Sequence, residues 1–408
     1  MKKADRNIAT IALVTAFCLL GDSMLYIALP IYWREAGLDG LWQVGVLLAV
    51  NRLVRLPLNP FVGWLYQNIS LKTGLLFAVI ISVVTTIGYG IVSGFIAWLI
   101  LRALWGLAWS FLRIGGLSVV AFYGEQGKHG EAMGVYNGLH RLGSLVGMLV
   151  GGALTPVFGL SWVSISFGVV SATGTILLLA FFKNDEDEKP AERKRTKEFL
   201  GKDILLRNPL IMSTGFLITF LVQGVFMATL SSLIVYHYGE EIHIWEIMIT
   251  AAALSGALQA LRWGWEPFLA KKIGRWSDGI YGRLPMFIGS LSVGATSFLL
   301  IPFDFHPMAW ILIVLIVLVA CTALTTLTDA LAVDAASSGN RVRFFTYYSV
   351  VQDFGAACGP AIGFILLSFH FGYEILYIGC GVLLVGIIFI WMIIPWQNKK
   401  SEAKYREV

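Results

Sequence analysis

The stretch YNGLHRLGSLVGMLVGG at 136–152 returns as YSVVQDFGAACGPAIGF at 348–364, and the pair decides how the chain is built. Gly143, Gly147 and Gly151 match Gly355, Gly359 and Gly363 at a constant offset, and Tyr136 matches Tyr348. Glycines four apart share one helix face and let two helices approach closely. A second pair, GWLYQNISLK at 63–72 and GRWSDGIYGR at 274–283, aligns Gly63 with Gly274 and Lys72 with Arg283. Two separate matches at corresponding places point to duplication of one helical unit.

The surroundings of both repeats are apolar. Of 408 residues, 57% are hydrophobic and 13% are charged, about half the charged share of a soluble domain. Runs of about 20 apolar residues are long enough to cross a bilayer. They fall at 8–33, 42–67, 73–94, 96–123, 130–155 and 159–182, then at 209–237, 244–270, 280–302, 307–335, 342–369 and 372–396. The expected fold is an all-α membrane protein with twelve transmembrane helices in two six-helix, pseudo-symmetric bundles. The first bundle covers 1–182, a charged linker 183–207, the second bundle 208–397, and a polar tail 398–408. The start resembles a secretory signal, but no small-residue cleavage site closes it and the run continues to Trp33. It reads as the first span. Cys18, Cys321, Cys358 and Cys380 all sit in apolar runs without CxxC spacing, as packing residues do.

Loop charge sets the orientation. With the N-terminus in the cytoplasm, the inner segments hold Lys2, Lys3, Arg6, Lys72, Lys128, the linker cluster, Lys271, Lys272, Arg275, Arg283, Arg341 and Arg343, and the outer loops only Arg34. Both termini are therefore expected in the cytoplasm.

These residues resemble the Major Facilitator Superfamily of secondary transporters over nearly the whole chain. The signature of its loop between helices 2 and 3, G-x-x-x-D-x-x-G-R-x, is met in the second half by Gly274, Asp278, Gly282 and Arg283, with one extra residue before the last pair. In the first half Gly63 fits, but Gln67 stands where the acid belongs. Arg102 and Gly106 meet the helix 4 signature R-x-x-x-G. Gly143, Gly147, Gly151 and Gly152 meet the antiporter signature of helix 5, with Met148 in place of its proline, whereas Gly359-Pro360 keeps one in helix 11. The resemblance implies a bacterial plasma-membrane transporter that acts as a monomer on a small solute and needs no cofactor or nucleic acid.

A charge at the middle of a span costs about 2.5–3.5 kcal/mol on insertion scales, so the intramembrane charges are the candidate site. Asp22 interrupts helix 1. Helix 4 carries Arg102, Trp109 and Arg113 in one narrow stripe, and helix 2 carries Arg52 and Arg55. At about 1.5 Å per residue, Asp22 and Arg102 differ by roughly 6 Å in depth, within an arginine's reach. Asp22 is then either that arginine's structural partner or a protonatable site released when substrate takes the arginine. The second half adds Arg262, Glu266, Asp329, Asp334 and Asp353. Asp22 is the proton-coupling candidate. Arg52, Arg55, Arg102, Trp109, Arg113 and Asp329 are candidates for substrate contact, and Arg141, Glu266, Asp353, Asp278 and Arg283 for gating between the halves. Arg141 is expected to reach Glu266, and Arg55 to meet Asp353. Asp334, Arg341 and Arg343, near the cytoplasmic ends, read as structural.

Five arginines on helices 2, 4 and 5 face the single Asp22 in the first half, so some need an anion from elsewhere. Arginine's planar fork suits carboxylate or phosphate. The expected function is proton-coupled export of a small anionic or zwitterionic organic solute. A broad-specificity multidrug/proton antiporter, and an uncoupled transporter-like receptor or lipid scramblase, stay open as alternatives. No G-x-S-x-G, H-E-x-x-H or G-x-x-x-x-G-K-[ST] motif supports an enzyme, and no metal ligand cluster is visible.

Overall fold

The computed structural model describes residues 3–66, 68–123, 129–182, 209–244, 247–279, 281–335 and 341–406. Gln67 and the charged linker lie outside them. The first helices are α1 (Lys3–Ala28), α2 (Leu41–Leu65), α3 (Leu71–Ile91) and α4 (Phe95–Tyr123). His129–Phe181 is helical over 53 residues, broken at Gly159 where φ is 78° and ψ is 160°. A left-handed φ is open to glycine and strained for other residues. The break separates α5 (129–158) from α6 (160–181), and both return to α1: Gly143 presses on Ala16 and the Ser171 hydroxyl donates to the Phe17 carbonyl. Glu35 accepts from the Leu160 amide at 3.1 Å, capping the orphaned start of α6.

The second set is α7 (Pro209–Tyr238), α8 (Ala251–Asp278), α9 (Arg283–Leu300), α10 (Pro307–Ala335), α11 (Arg341–Leu367) and α12 (Gly372–Arg406). Among the described residues ten helical stretches are long and apolar enough to cross a membrane, and Val135–Phe181, at 47 residues, is one of them. At about 1.5 Å per residue that stretch is twice a bilayer's thickness, which the Gly159 break resolves into two crossings' worth of helix. The helix that fails the test is α8, because Arg262, Glu266, Lys271, Lys272 and Arg275 interrupt it.

Three boundaries differ from expectation. The helix expected from 244 begins only at Ala251. Before it lie two antiparallel strands, β1 (Glu241–Ile244) and β2 (Ile247–Thr250), so the fold is not purely helical. Isoleucines at 242, 244, 247 and 249 are as apolar as a span but β-branched, and they favour extended backbone. The first helix ends at Ala28, not Trp33, because Pro30 cannot continue it. The last helix runs through Arg406, past the expected tail boundary at 397.

Helices α1 and α7 are the central pair. Their spans are 83% buried, against 33–50% for the others. The glycine series explains how their neighbours reach them. Gly143 and Gly147 lie on the backbone of Ala16 and Leu20 in α1, and Gly355 and Gly359 on the backbone of Phe216 and Gly224 in α7. At that second contact α7 widens into a π-helical segment, Phe220–Phe226.

The two halves meet through bare backbone at the end where α1 finishes. A Cβ on Gly45 of α2 would stand 2.5 Å from the Pro360 carbonyl oxygen of α11, and one on Gly152 of α5 the same distance from that of Ala252 in α8. The Ser232 hydroxyl of α7 donates to the Pro30 carbonyl at 3.4 Å. In the loop after α1, burial and the nearby Glu240 and Glu35 push the Tyr32 phenol up to about 12.

Candidate functional site

The strongest polar contact inside the bundle lies where α1, α2 and α4 converge. Arg102 is 0% exposed. Its Nη1 donates to Asp22 Oδ1 at 2.5 Å and its Nε to the Leu47 carbonyl at 3.0 Å. Asn51 Nδ2 donates to the same Asp22 oxygen at 3.4 Å. Gly106 makes this possible, since a Cβ there would stand 2.6 Å from the Asn51 carbonyl oxygen. The R-x-x-x-G pair is thus one device. The glycine seats α4 on α2, and the arginine one turn earlier crosses to α1. The reach inferred from depth alone is the one the structure has. Asp22 is not sealed, for its side chain keeps 13% of its surface open.

Further along the α4 stripe, Trp109 and Arg113 are half-buried. Trp109 meets His140 of α5 edge-on at 6.4 Å, and Arg113 interacts electrostatically with His140 and Tyr136, with no ion pair among the described residues. On α2, Arg52 stands over the Tyr26 ring, 5.9 Å from its centroid. Both Arg52 and Arg55 sense the charge of Asp353. The expected Arg55–Asp353 ion pair, however, is not formed. Arg55 folds back along its own helix and donates from Nε to the Asn51 carbonyl at 3.1 Å.

Between α5 and α8 the halves do exchange charge. Arg141 Nη1 lies 3.5 Å from Glu266 Oε1, and its guanidinium stands 5.4 Å from the Trp263 ring centre. In the second half Asp329 Oδ1 accepts from Tyr348 Oη and Gln352 Nε2, each at 3.0 Å. Arg283 pairs with Asp334 at 2.6 Å and donates to the Ala330 carbonyl at 2.7 Å, tying the α8–α9 turn to the end of α10. Gly282 takes φ 77° there, so the motif's glycine is a backbone requirement. The Asp278 side chain, and those of Arg341 and Arg343, lie outside the described residues.

Sequence reasoning passed over Asn51, although it sits one turn before Arg55 on the charged face of α2. It also passed over the buried Gln259. A groove of about 450 Å³ lies between α8, α9 and α10; it is apolar, and none of the candidate residues lines it.

The sequence profile of the Major Facilitator Superfamily matches residues 11–276 and again 272–407. The chain belongs to that superfamily. Major Facilitator proteins are transporters of small solutes, not enzymes, and this one is a multi-pass membrane protein. Among curated relatives, the multidrug resistance protein MdtG of Salmonella arizonae is 25% identical over 371 residues, covering 89% of each chain. MdtG of Citrobacter koseri is 26% identical over 387 residues, covering 92% of each. Among solved structures the nucleoside transporter NupG superposes with a TM-score of 0.77 at 16% identity, over 96% of this chain and 99% of its own. A bacterial homologue of the human lysosomal transporter Spinster, inward-facing and unoccupied, gives 0.73 at 13% identity, over 96% of each chain. At those identities the likeness is one of Major Facilitator fold.

Proposed function

We propose that this Major Facilitator chain is a proton-coupled exporter of small organic solutes, working by alternating access. In this reading twelve helices cross the bacterial inner membrane as two bundles, 1–182 and 208–397, joined by the cytoplasmic linker 183–207. Both termini are cytoplasmic. The end sealed through Gly45 and Gly152 then faces outward, and the protein is open, if anywhere, towards the cytoplasm.

The observation that carries the reading is the Asp22–Arg102 pair. A carboxylate held by a fully buried arginine, yet with part of its surface open, can lose its partner to an arriving anion and take a proton in exchange. The surplus of arginines on α2, α4 and α5 favours an anionic or zwitterionic solute, with Arg52, Arg55, Trp109 and Arg113 on one side and Asp329 on the other. Arg141, Glu266 and Asp353 sit where the halves part and would bias which side is open. The names of the MdtG relatives favour a second reading, broad-specificity multidrug efflux.

The test uses purified protein in proteoliposomes, with the solute that most raises the melting temperature in a metabolite screen. An imposed proton gradient should drive uphill flux that an uncoupler abolishes. Asp22→Asn should lose the uphill flux and keep solute exchange. Uphill transport by the mutant at the wild-type rate overturns the proton role, and flux indifferent to the uncoupler favours an uncoupled receptor or scramblase. Competition by many unrelated cations would favour the multidrug reading.

A further inference from the structure

Helix α8 concentrates polar atoms that the protein itself leaves unpaired. Among the described residues, the buried side-chain atoms without a hydrogen-bond partner include Gln259 Oε1, Arg262 Nε, Trp263 Nε1 and Glu266 Oε2. At about 100° per residue these four positions fall on one face of the helix, about 100° wide. Gln259 is 0% exposed and Arg262 is 3% exposed. An unpaired buried polar atom keeps its whole desolvation cost, so native structures hold few of them, and each requires a reason.

The details narrow what is missing. Gln259 uses its amide nitrogen, which donates to the Met227 carbonyl at 3.2 Å and to Ser255 Oγ at 3.4 Å, so only its acceptor is left over. Among the described residues Arg262 has no ion pair. Its guanidinium stands 6.0 Å from the Trp263 ring centre, and Arg141 of the opposite half stands 5.4 Å from the same ring. Glu266 gives one oxygen to Arg141 at 3.5 Å, well beyond the length of about 2.7–2.9 Å that a fully made charged hydrogen bond takes. Two arginines and one glutamate meet here, and Asp329 of α10 lies close enough for its charge to interact with that of Glu266. The vacant functions are a guanidinium N–H, an indole N–H, one amide oxygen and the second oxygen of Glu266.

We propose that this face of α8, together with Arg141 of α5, binds the carboxylate of a monoanionic solute whose ring or apolar body lies against Trp263. The proposal rests on the export reading for calling the ligand a solute. The two oxygens of a carboxylate suit a bidentate guanidinium contact with Arg262, which has no acid of its own among the described residues. It would also compete with Glu266 for Arg141. Because that contact joins the two halves, binding exchanges a protein–protein ion pair for a protein–ligand one at the seam where the halves separate.

The experiment is isothermal titration of the purified full chain in detergent with 1-naphthoate and with its neutral isostere 1-naphthamide, at fixed pH and without a gradient. Wild type should bind the carboxylate about tenfold more tightly or better, the scale of one charged contact. Arg262→Gln should erase that preference and Arg262→Lys restore part of it. Glu266→Gln should tighten naphthoate binding, because the competitor for Arg141 loses its charge; a merely structural role for Glu266 predicts no such gain. Equal affinities, no naphthoate binding, or weaker binding in Glu266→Gln would overturn the proposal. If Arg262→Gln does not elute as a single species, Arg262→Lys and Glu266→Gln decide the matter. Asp22→Asn separates the two readings. Loss of uphill flux tests coupling, whereas the carboxylate preference should survive in that variant.

Discussion

Asp22 and Asp329 are both aspartates within apolar helices, one in each half, and they are held in opposite ways. Asp22 faces a fully buried arginine that has no other acid, with Asn51 as a weaker second donor. Asp329 accepts from a phenol and a carboxamide, both neutral, and makes no ion pair among the described residues. In the first case the charges of two residues define each other, and removing either strands the other. In the second the donors are neutral and keep an acceptor whether the group is a carboxylate, a carboxylic acid or an amide, although they bind the carboxylate most strongly. The duplicated scaffold therefore carries one charge that is locked and one that is free to change without upsetting its neighbours.

Breaking the locked pair should have the largest effect. Arg102→Ala strands Asp22 in a buried setting, at a cost of about 3–5 kcal/mol. It should appear as a large fall in melting temperature of the purified protein, and adding Asp22→Asn should recover part of it. No recovery would mean that Arg102 is valued for its contact with Leu47, not for its charge. Next in size comes the packing that both halves share. Gly147→Val drives two methyls into the α1 backbone at Leu20, an overpacking cost of about 1–3 kcal/mol. Gly363→Val, at a matching seam where the nearest atom is a Thr229 methyl at 3.3 Å, should cost less in the same melting experiment. Asp329→Asn should be milder still, about 1 kcal/mol or below, since both donors keep an acceptor. A loss as large as that of Arg102→Ala would end the contrast drawn between the two acids. The smallest effect is expected for Arg55 and Asp353. With no ion pair between them, a double-mutant cycle of Arg55→Gln and Asp353→Asn should give a coupling near zero, below about 0.5 kcal/mol. A larger coupling would show that they pair in the other conformation of the cycle.

Much of the architecture was legible because its signals are short-range. Apolar length marks a span wherever it occurs, and glycines four apart mark a close helix contact before the partner is known. The meeting of Asp22 with Arg102 was also within reach, since both depths follow from counting residues along straight helices. What escaped depends on local choices between near-equal alternatives. Residues 244–250 read as the start of the span expected at 244–270, and the β-branched isoleucines around them favour extended backbone instead. Arg55 lies at the right depth for Asp353, but a carbonyl on its own helix is nearer than a carboxylate on another. The π-helical widening of α7 leaves no mark in composition. It appears where Gly224 and Gly359 come together, a property of two helices and not of one.

The contact between Gly45 and Pro360, like that between Gly152 and Ala252, consists of main chain on one side and an absent side chain on the other. Nothing in it can gain or lose a proton, bind a cation or be screened by salt. If this end faces outside the cell, the strength of these two contacts is set by fit and stays constant as external acidity and salinity change. Sensitivity to the surroundings is left to charged contacts such as that of Arg141 with Glu266, deeper along the same seam.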